Sequence, residues 1–344
     1  MKTALQGIGG LLLSVVLLYW VFHDKDPQAL SAALMRASWP ALVLAAFLNL
    51  SHNAFRVLRW GWLLEPVRPG VPFRPMFSAV ILGFMTTLLV PGRVGELVRP
   101  ALLSAREDLP LGPCLGTVVA DRLLDGVAIV ALFVVGSLNA HFVAGSAGLA
   151  GEIRVTAAVA LAVIVSGLVV LVAISTVGRR LDGWLSRRWA PLRWLGRLTL
   201  GLSRGVDALR SPRRLVPIIA YSLAVWLMIA LATWIGIRAA GADIGFADTL
   251  VMLPLLALGV AIPTPGGVGG YHAAMQFGLT RLFGVDPTIA AGAGVLIHLA
   301  ILVPVLLLGP VLLYTEKVSF ADLVAAGKQV RALGHAQPSI EAAR

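Results

Sequence analysis

Residues 76–90 (MFSAVILGFMTTLLV) carry no charge and stop at Pro91 after 15 residues. A membrane-spanning helix needs about 20 apolar residues, so this run is too short to cross a bilayer comfortably. The break that ends it is Pro91-Gly92-Arg93-Val94-Gly95-Glu96. A near copy, Pro265-Gly266-Gly267-Val268-Gly269-Gly270, follows a second short apolar run at 249–262. Such a break leaves backbone groups that hydrocarbon cannot satisfy, and it persists only where protein or a wet cavity covers it. Two breaks in matching places are the pattern of a transporter-like core with broken helices.

Only 13% of the 344 residues are charged and 58% are hydrophobic, where a soluble domain carries about a quarter charged residues. The chain therefore reads as an integral membrane protein. Apolar stretches of spanning length favour a helical bundle over a barrel, whose strands alternate in polarity. The net charge of +11 fits Lys and Arg gathered in cytoplasmic loops better than a phosphate-tracking stripe, so no nucleic-acid partner is expected. A single cysteine, Cys114, excludes an internal disulfide and any CxxC site.

Full spans are expected at 4–22, from Trp39-Pro40 to Trp60, and at 113–138, 154–176, 215–237 and 288–314. Half-spans at 76–90 with 97–105, and at 249–262 with 271–283, make two hairpins. Residues 23–36 read as a polar loop and 317–344 as a polar cytoplasmic tail. The segment 178–214 holds ten arginines interleaved with Trp184, Trp189 and Trp194. It reads as the cytoplasmic loop that sets topology, with a grip on anionic headgroups as the other reading. Threading outward from it places both termini in the cytoplasm and brings the hairpins in from opposite sides.

The halves also align in spacing. Phe73 precedes Pro91 by 18 positions and Phe246 precedes Pro265 by 19; Arg122 follows Pro91 by 31 and His298 follows Pro265 by 33. The expected fold is an all-α integral membrane protein, a polytopic helical bundle with an inverted-topology repeat and two re-entrant broken-helix hairpins. Residues 1–316 form one domain, with repeat A at about 40–138 and repeat B at about 215–314.

Ionisable residues inside a membrane are costly and default to function. Arg93, Glu96 and Arg99 fall on one face of a helix that starts after Gly92, at an end whose free N–H groups favour anions. Asp121, Arg122 and Asp125 lie roughly 12 to 20 Å into the third span at 1.5 Å per residue. Two roles stay open for them: contact with a substrate, or neutralisation of Arg93 and Arg99. Asn53 and Arg56 can reach the cavity, whereas Arg59 reads as an arginine snorkelling to the interface. Thr264, Tyr271, His272 and His298 stand where the first half has charges, and an intramembrane histidine is either a packing residue or a proton-responsive one. The hinges are Pro91, Gly92, Gly95, Pro265, Gly266, Gly267 and Gly269. Without HExxH, Walker A or clustered Cys and His, no catalytic residue, metal or cofactor is expected.

Asn53/Arg56/Arg59-Trp60, PGRVGELVRP (91–100), DRLLDG (121–126) and PTPGGVGGYHAA (263–274) together resemble the flippase-like family of the lysylphosphatidylglycerol synthase transmembrane region. The resemblance covers roughly 8–315. It implies a lipid flippase or lipid transporter of the bacterial cytoplasmic (inner) membrane, with membrane lipids, including anionic phospholipid headgroups, as partners. In the synthases a separate soluble domain transfers the amino acid; this sequence has no counterpart of it, so aminoacyl transfer is not expected. The TPGGVGGYH form resembles the hopanoid-associated branch, which widens the cargo to hopanoid-type or polyprenyl-linked lipids. Two alternatives stand beside transport. One is an intramembrane lipid-modifying transferase with Asp121 or Glu96 as base, and the other a scaffold that holds lipid-biosynthesis enzymes through 178–214.

Overall fold

The computed structural model describes residues 2–90, 94–139, 141 and 207–333, with isolated positions between 151 and 167. Eleven α-helices and no strand occur among the described residues. They are α1 (Lys2–Phe22), α2 (Pro27–Met35), α3 (Trp39–Leu64), α4 (Phe73–Leu89), α5 (Gly95–Arg106), α6 (Leu111–Asn139), α7 (Pro212–Ala239), α8 (Phe246–Ala261), α9 (Gly270–Phe283), α10 (Pro287–Glu316) and α11 (Phe320–Leu333). The expected span at 154–176 lies largely outside the described residues, as do most of the basic loop and the first break at Pro91, Gly92 and Arg93.

α3, α7 and α10 are each long and apolar enough to cross a membrane, and α1 joins α2 across a 90° bend. Their outer faces stay apolar: Leu299, Val303, Leu307 and Val311 form an exposed stripe along α10. In water that stripe would be an aggregation site; against lipid it is the proper surface. The chain is a multi-pass membrane protein.

Two segments read as polar are helical. Residues 27–35 form α2 because Asp26 caps the first turn, its carboxylate accepting from the Gln28 N–H at 3.0 Å, with Pro27 at the first helical position. The tail forms α11 because Ser319 and Asp322 cap it reciprocally. The Ser319 hydroxyl accepts from the Asp322 N–H at 3.1 Å, and the Asp322 carboxylate accepts from the Ser319 N–H at 3.1 Å. Leu323 of α11 is buried, and Gly327 packs directly on Val94 and Val98 of α5.

α3 and α7 lie side by side and antiparallel. Ser38 donates to the Ala239 carbonyl at 2.9 Å at one end, Arg59 reaches Ser222 at 3.1 Å further along, and Arg214 meets Glu65 at 2.6 Å at the other end. α4 and α5 fold back on each other, with Arg106 donating to Ser78 at 2.9 Å and a Cβ on Gly83 falling 3.0 Å from the Gly95 carbonyl. α8 and α9 do the same: a Cβ on Gly259 would fall 2.6 Å from the Gly270 carbonyl, and Gly278 faces Met252. Both hairpins thus close through glycine on glycine, which lets backbones approach where nothing larger fits.

The open ends of the two hairpins lie at opposite ends of the bundle. The open end of the first lies with Glu316, which takes Arg106 at 3.3 Å and Arg74 at 3.7 Å. The second starts beside the Ser38–Ala239 end, where Asp248 accepts from the Gly245 and His141 N–H groups, both at 2.7 Å. Their tips meet: Gly266 sits 3.5 Å (from its Cβ position) from the Leu88 carbonyl, and its own carbonyl accepts from His298, near the middle of α10, at 3.0 Å. The helix after each hairpin packs on the other hairpin, α6 through Gly136 on Ala247, Leu250 and Val251, and α10 through Gly309 on Met85.

Candidate ion-pair network and histidine cluster

The first functional candidate is a charge network held by four helices. α3 supplies Arg56 and Arg59 one turn apart, α5 supplies Glu96 and Arg99, α6 supplies Asp121, Arg122 and Asp125, and α7 supplies Ser222 and Trp226. The i,i+4 spacing of the aspartates puts both on the face that α6 turns to α3.

Asp125 is fully engaged. One oxygen accepts from Arg59 at 2.8 Å and from the Trp226 indole at 3.0 Å; the other accepts from Arg56 at 2.8 Å and Arg122 at 3.3 Å. Asp121 accepts from Arg99 at 2.7 Å, meets Arg59 at 2.6 Å and lies 3.7 Å from Arg56. The Arg59–Asp121 contact is an ion pair, made by the same nitrogen that donates to Asp125. The Arg99 guanidinium lies 4.0 Å from the centroid of the Trp60 ring, and the Trp60 indole donates to Thr117 at 2.9 Å. A planar fork suits Arg to such shared work, which a lysine cannot do.

Burial divides the network. Arg59 and Asp121 are 0% exposed, and Arg56, Arg99 and Asp125 no more than 4%. Arg122 and Glu96, paired at 3.7 Å, keep 39% and 30% of their side chains exposed. The inner part holds three guanidinium groups against two carboxylates, so it carries one excess positive charge. Asp121 pairs with Arg99, and both aspartates pair with Arg56 and Arg59; Glu96 and Arg122 are the partly exposed members. Arg93 lies outside the described residues.

Arg59 is the largest departure from the sequence reading. It sits at the centre of the network because α3 runs on to Leu64, a full turn past Trp60; that extra length puts Arg59 inside the bundle instead of at its rim. Asn53 is buried one turn before Arg56, with its amide donating to the Asn49 and Leu50 carbonyls at 3.3 and 3.0 Å. Thr117, Ser222 and Trp226 leave no charge signal inside an apolar run, and the sequence shows Trp60 only as part of a motif.

The second candidate lies at the other tip. Tyr271 stacks on His298 with ring centroids 4.8 Å apart, and His272 meets His298 edge-on at 4.9 Å. The Gly269 N–H donates to His272 Nδ1 at 3.3 Å. Thr264 lies in the turn, and its hydroxyl, like that of Tyr271, has no hydrogen-bond partner among the described residues. Gly266, Gly267 and Gly269 adopt φ of 61°, 74° and 88°, the region that disfavours any side chain. Pro265 opens the short 3-10 turn between them. Gly95 sits in the first turn of α5 against Gly83 and Thr87, where its use is close approach. Among the described residues no three His, Cys, Asp or Glu side chains gather as a metal site.

Residues 7–309 match the family described as the lysylphosphatidylglycerol synthase TM region. Curated relatives include a glycosyltransferase, AglD, of Haloferax volcanii, 25% identical over 85% of this chain and 51% of its own length. A UPF0104 membrane protein of Methanothermobacter thermautotrophicus is 24% identical over 82% of this chain and 84% of its own. Another, from Pyrococcus horikoshii, is 27% identical over 41% and 42%. The chain spans about half the length of AglD.

Proposed function

This chain belongs to the family of the lysylphosphatidylglycerol synthase transmembrane region, and on that premise we propose that it is a lipid flippase or lipid transporter of the cytoplasmic membrane. The observation that carries the reading is the meeting of two opposed hairpin tips at Leu88 and Gly266, next to a buried ion-pair network. In a bilayer those tips lie near the midplane, where irregular backbone is tolerated only against protein or water. Repeat A is then α3 to α6 and repeat B α7 to α10. The antiparallel α3–α7 pair is what an inverted-topology repeat produces, and such a pair of units alternates access by rocking one against the other.

The transport path runs along the Glu96–Arg122 edge. A headgroup there exchanges hydration for fixed charges while its tails stay in lipid, and the inner ion pairs hold the edge in shape. The excess positive charge of the inner network favours an anionic headgroup, such as a phosphate ester. Hopanoid-type and polyprenyl-linked lipids are the other cargo classes. Arg68, Arg74, Arg106 and Arg214 share the Glu65–Glu316 end of the bundle, which is the cytoplasmic end by the positive-inside rule. Lipid-biosynthesis enzymes are partners the basic loop would suit.

A transferase is the weaker reading. The name of AglD carries glycosyl transfer, but the match covers about half of AglD, and both aspartates here are held by arginines instead of standing free as bases. Purified protein in liposomes, with fluorescent phosphatidylglycerol and a labelled polyprenyl phosphate as probes, tests the proposal. Faster loss of inner-leaflet label than in empty vesicles supports it; empty-vesicle rates for both probes count against it.

A further inference from the structure

Where the first tip is bordered by ion pairs, the second is fastened by two histidines, and the backbone fixes which nitrogen carries hydrogen. The Gly269 N–H can only donate, so His272 Nδ1, 3.3 Å away, is bare and Nε2 carries the hydrogen. The Gly266 carbonyl can only accept, so His298 Nε2, 3.0 Å away, carries hydrogen. These bonds clamp both sides of the turn, whose glycines have positive φ.

A proton meets the two rings differently. On His298 it takes the free Nδ1 and leaves the bond to Gly266 in place. On His272 the one available lone pair is the one that accepts from Gly269, so protonation sets N–H against N–H and removes that bond. Two imidazolium rings 4.9 Å apart repel in an apolar wall, so the closed pair holds at most one proton.

Among the described residues no ionised group relieves this. There the electrostatic neighbours of His298 are His272 and the Gly266 carbonyl, and His272 has no charged neighbour. Tyr271 stacks on His298 from α9, and α1 presents Phe22 to His272. On α8, Asp248 is bonded to the Gly245 and His141 amides; on α7, Arg238 pairs with Asp243 at 2.9 Å; on α2, Asp26 caps its own helix. The titratable groups of α3 act elsewhere, His52 facing Arg56, Asp125 and Arg59. Between Arg74 and its end at Leu89, α4 has none.

We propose that the His272–His298 pair is a proton-binding site, and that a proton on His272 unlatches the turn at 264–269. The closed turn denies His272 its proton and keeps both rings from water; an open turn lifts both restrictions. The open form therefore binds protons more tightly, and acid favours it by linkage. The turn backs on α1, where a Cβ on Gly269 would lie 3.0 Å from the Ser14 carbonyl, and it touches the first hairpin at Leu88. Opening it frees the contact between the two tips, which makes a proton the ligand that releases them. This holds whichever lipid is moved, and its test needs no lipid substrate.

The test is hydrogen–deuterium exchange of the purified full chain in lipid nanodiscs, corrected for the intrinsic rate at each pH. Protection at 264–270 is expected to fall on the order of tenfold between about pH 8 and about pH 5, while α10 keeps its protection. His272→Asn supplies an acceptor that does not take up a proton, so it is expected to stay protected at both pH values. His298→Gln keeps a donor for Gly266 and is expected to retain the pH response. Equal wild-type protection at both pH values overturns the proposal, and so does a response that survives in His272→Asn or vanishes only in His298→Gln.

Discussion

Arg59 and Asp121 meet at 2.6 Å with neither side chain exposed at all. Taking two charges out of water costs several kcal/mol per ion, and the attraction between them offsets this only when every partner is present. Replacing Asp121 by asparagine leaves Arg59 and Arg99 short of charge. We expect Asp121→Asn to destabilise the fold by about 3–5 kcal/mol, the range for breaking one side of a buried pair. Thermal unfolding in detergent measures it, and a loss under about 1 kcal/mol would show the network to be wet.

The exposed edge behaves differently. Arg122 and Glu96 are partly exposed and 3.7 Å apart, so their contribution to stability is within about 1 kcal/mol. Glu96→Gln is expected to leave the melting temperature close to wild type, Arg122→Ala to lower it because it also removes a partner of the buried Asp125, and both to slow labelled-lipid movement in liposomes. Wild-type rates in both variants would move the path away from this edge.

The glycine contacts give a sterically graded series. A Cβ on Gly95 would fall on the Gly83 carbonyl and the Thr87 hydroxyl, and one on Gly270 would fall on the Gly259 carbonyl. Gly95→Ala and Gly270→Ala are expected to cost about 1–3 kcal/mol by overpacking. Gly9→Ala meets nothing within 4 Å and is expected to gain up to about 1 kcal/mol of helix propensity. Unfolding of the three variants under one set of conditions reads the order directly.

The two hairpins were legible because Pro91 and Pro265 interrupt uncharged runs, and a broken apolar run constrains the fold more than an intact one. The charges of α6 were legible for the same reason. Arg59 was not: depth decides whether an arginine near a helix end snorkels or is buried, and depth depended on α3 continuing through Gly61 to Leu64. α2 and α11 were hidden by composition, since a short polar helix lacks the apolar stripe that marks a span. Their caps were nonetheless in the sequence, as Asp26-Pro27 and as Ser319 three residues before Asp322. The meeting of Leu88 with Gly266 is a tertiary fact that local pattern does not encode.

The depth of the first tip tests the account most directly. Cys114 is fully buried and is replaced by serine to give a silent background. Single cysteines are then introduced as Arg74→Cys, Val90→Cys and Arg281→Cys, and a membrane-impermeant maleimide is applied to each face of oriented vesicles. The account predicts that the cysteine at 74 reacts from one face, that at 281 from the opposite face, and that at 90 slowly or not at all from either. Rapid labelling at position 90 from the face opposite position 74 would mean that α4 crosses the whole bilayer, and would contradict two hairpins meeting inside it.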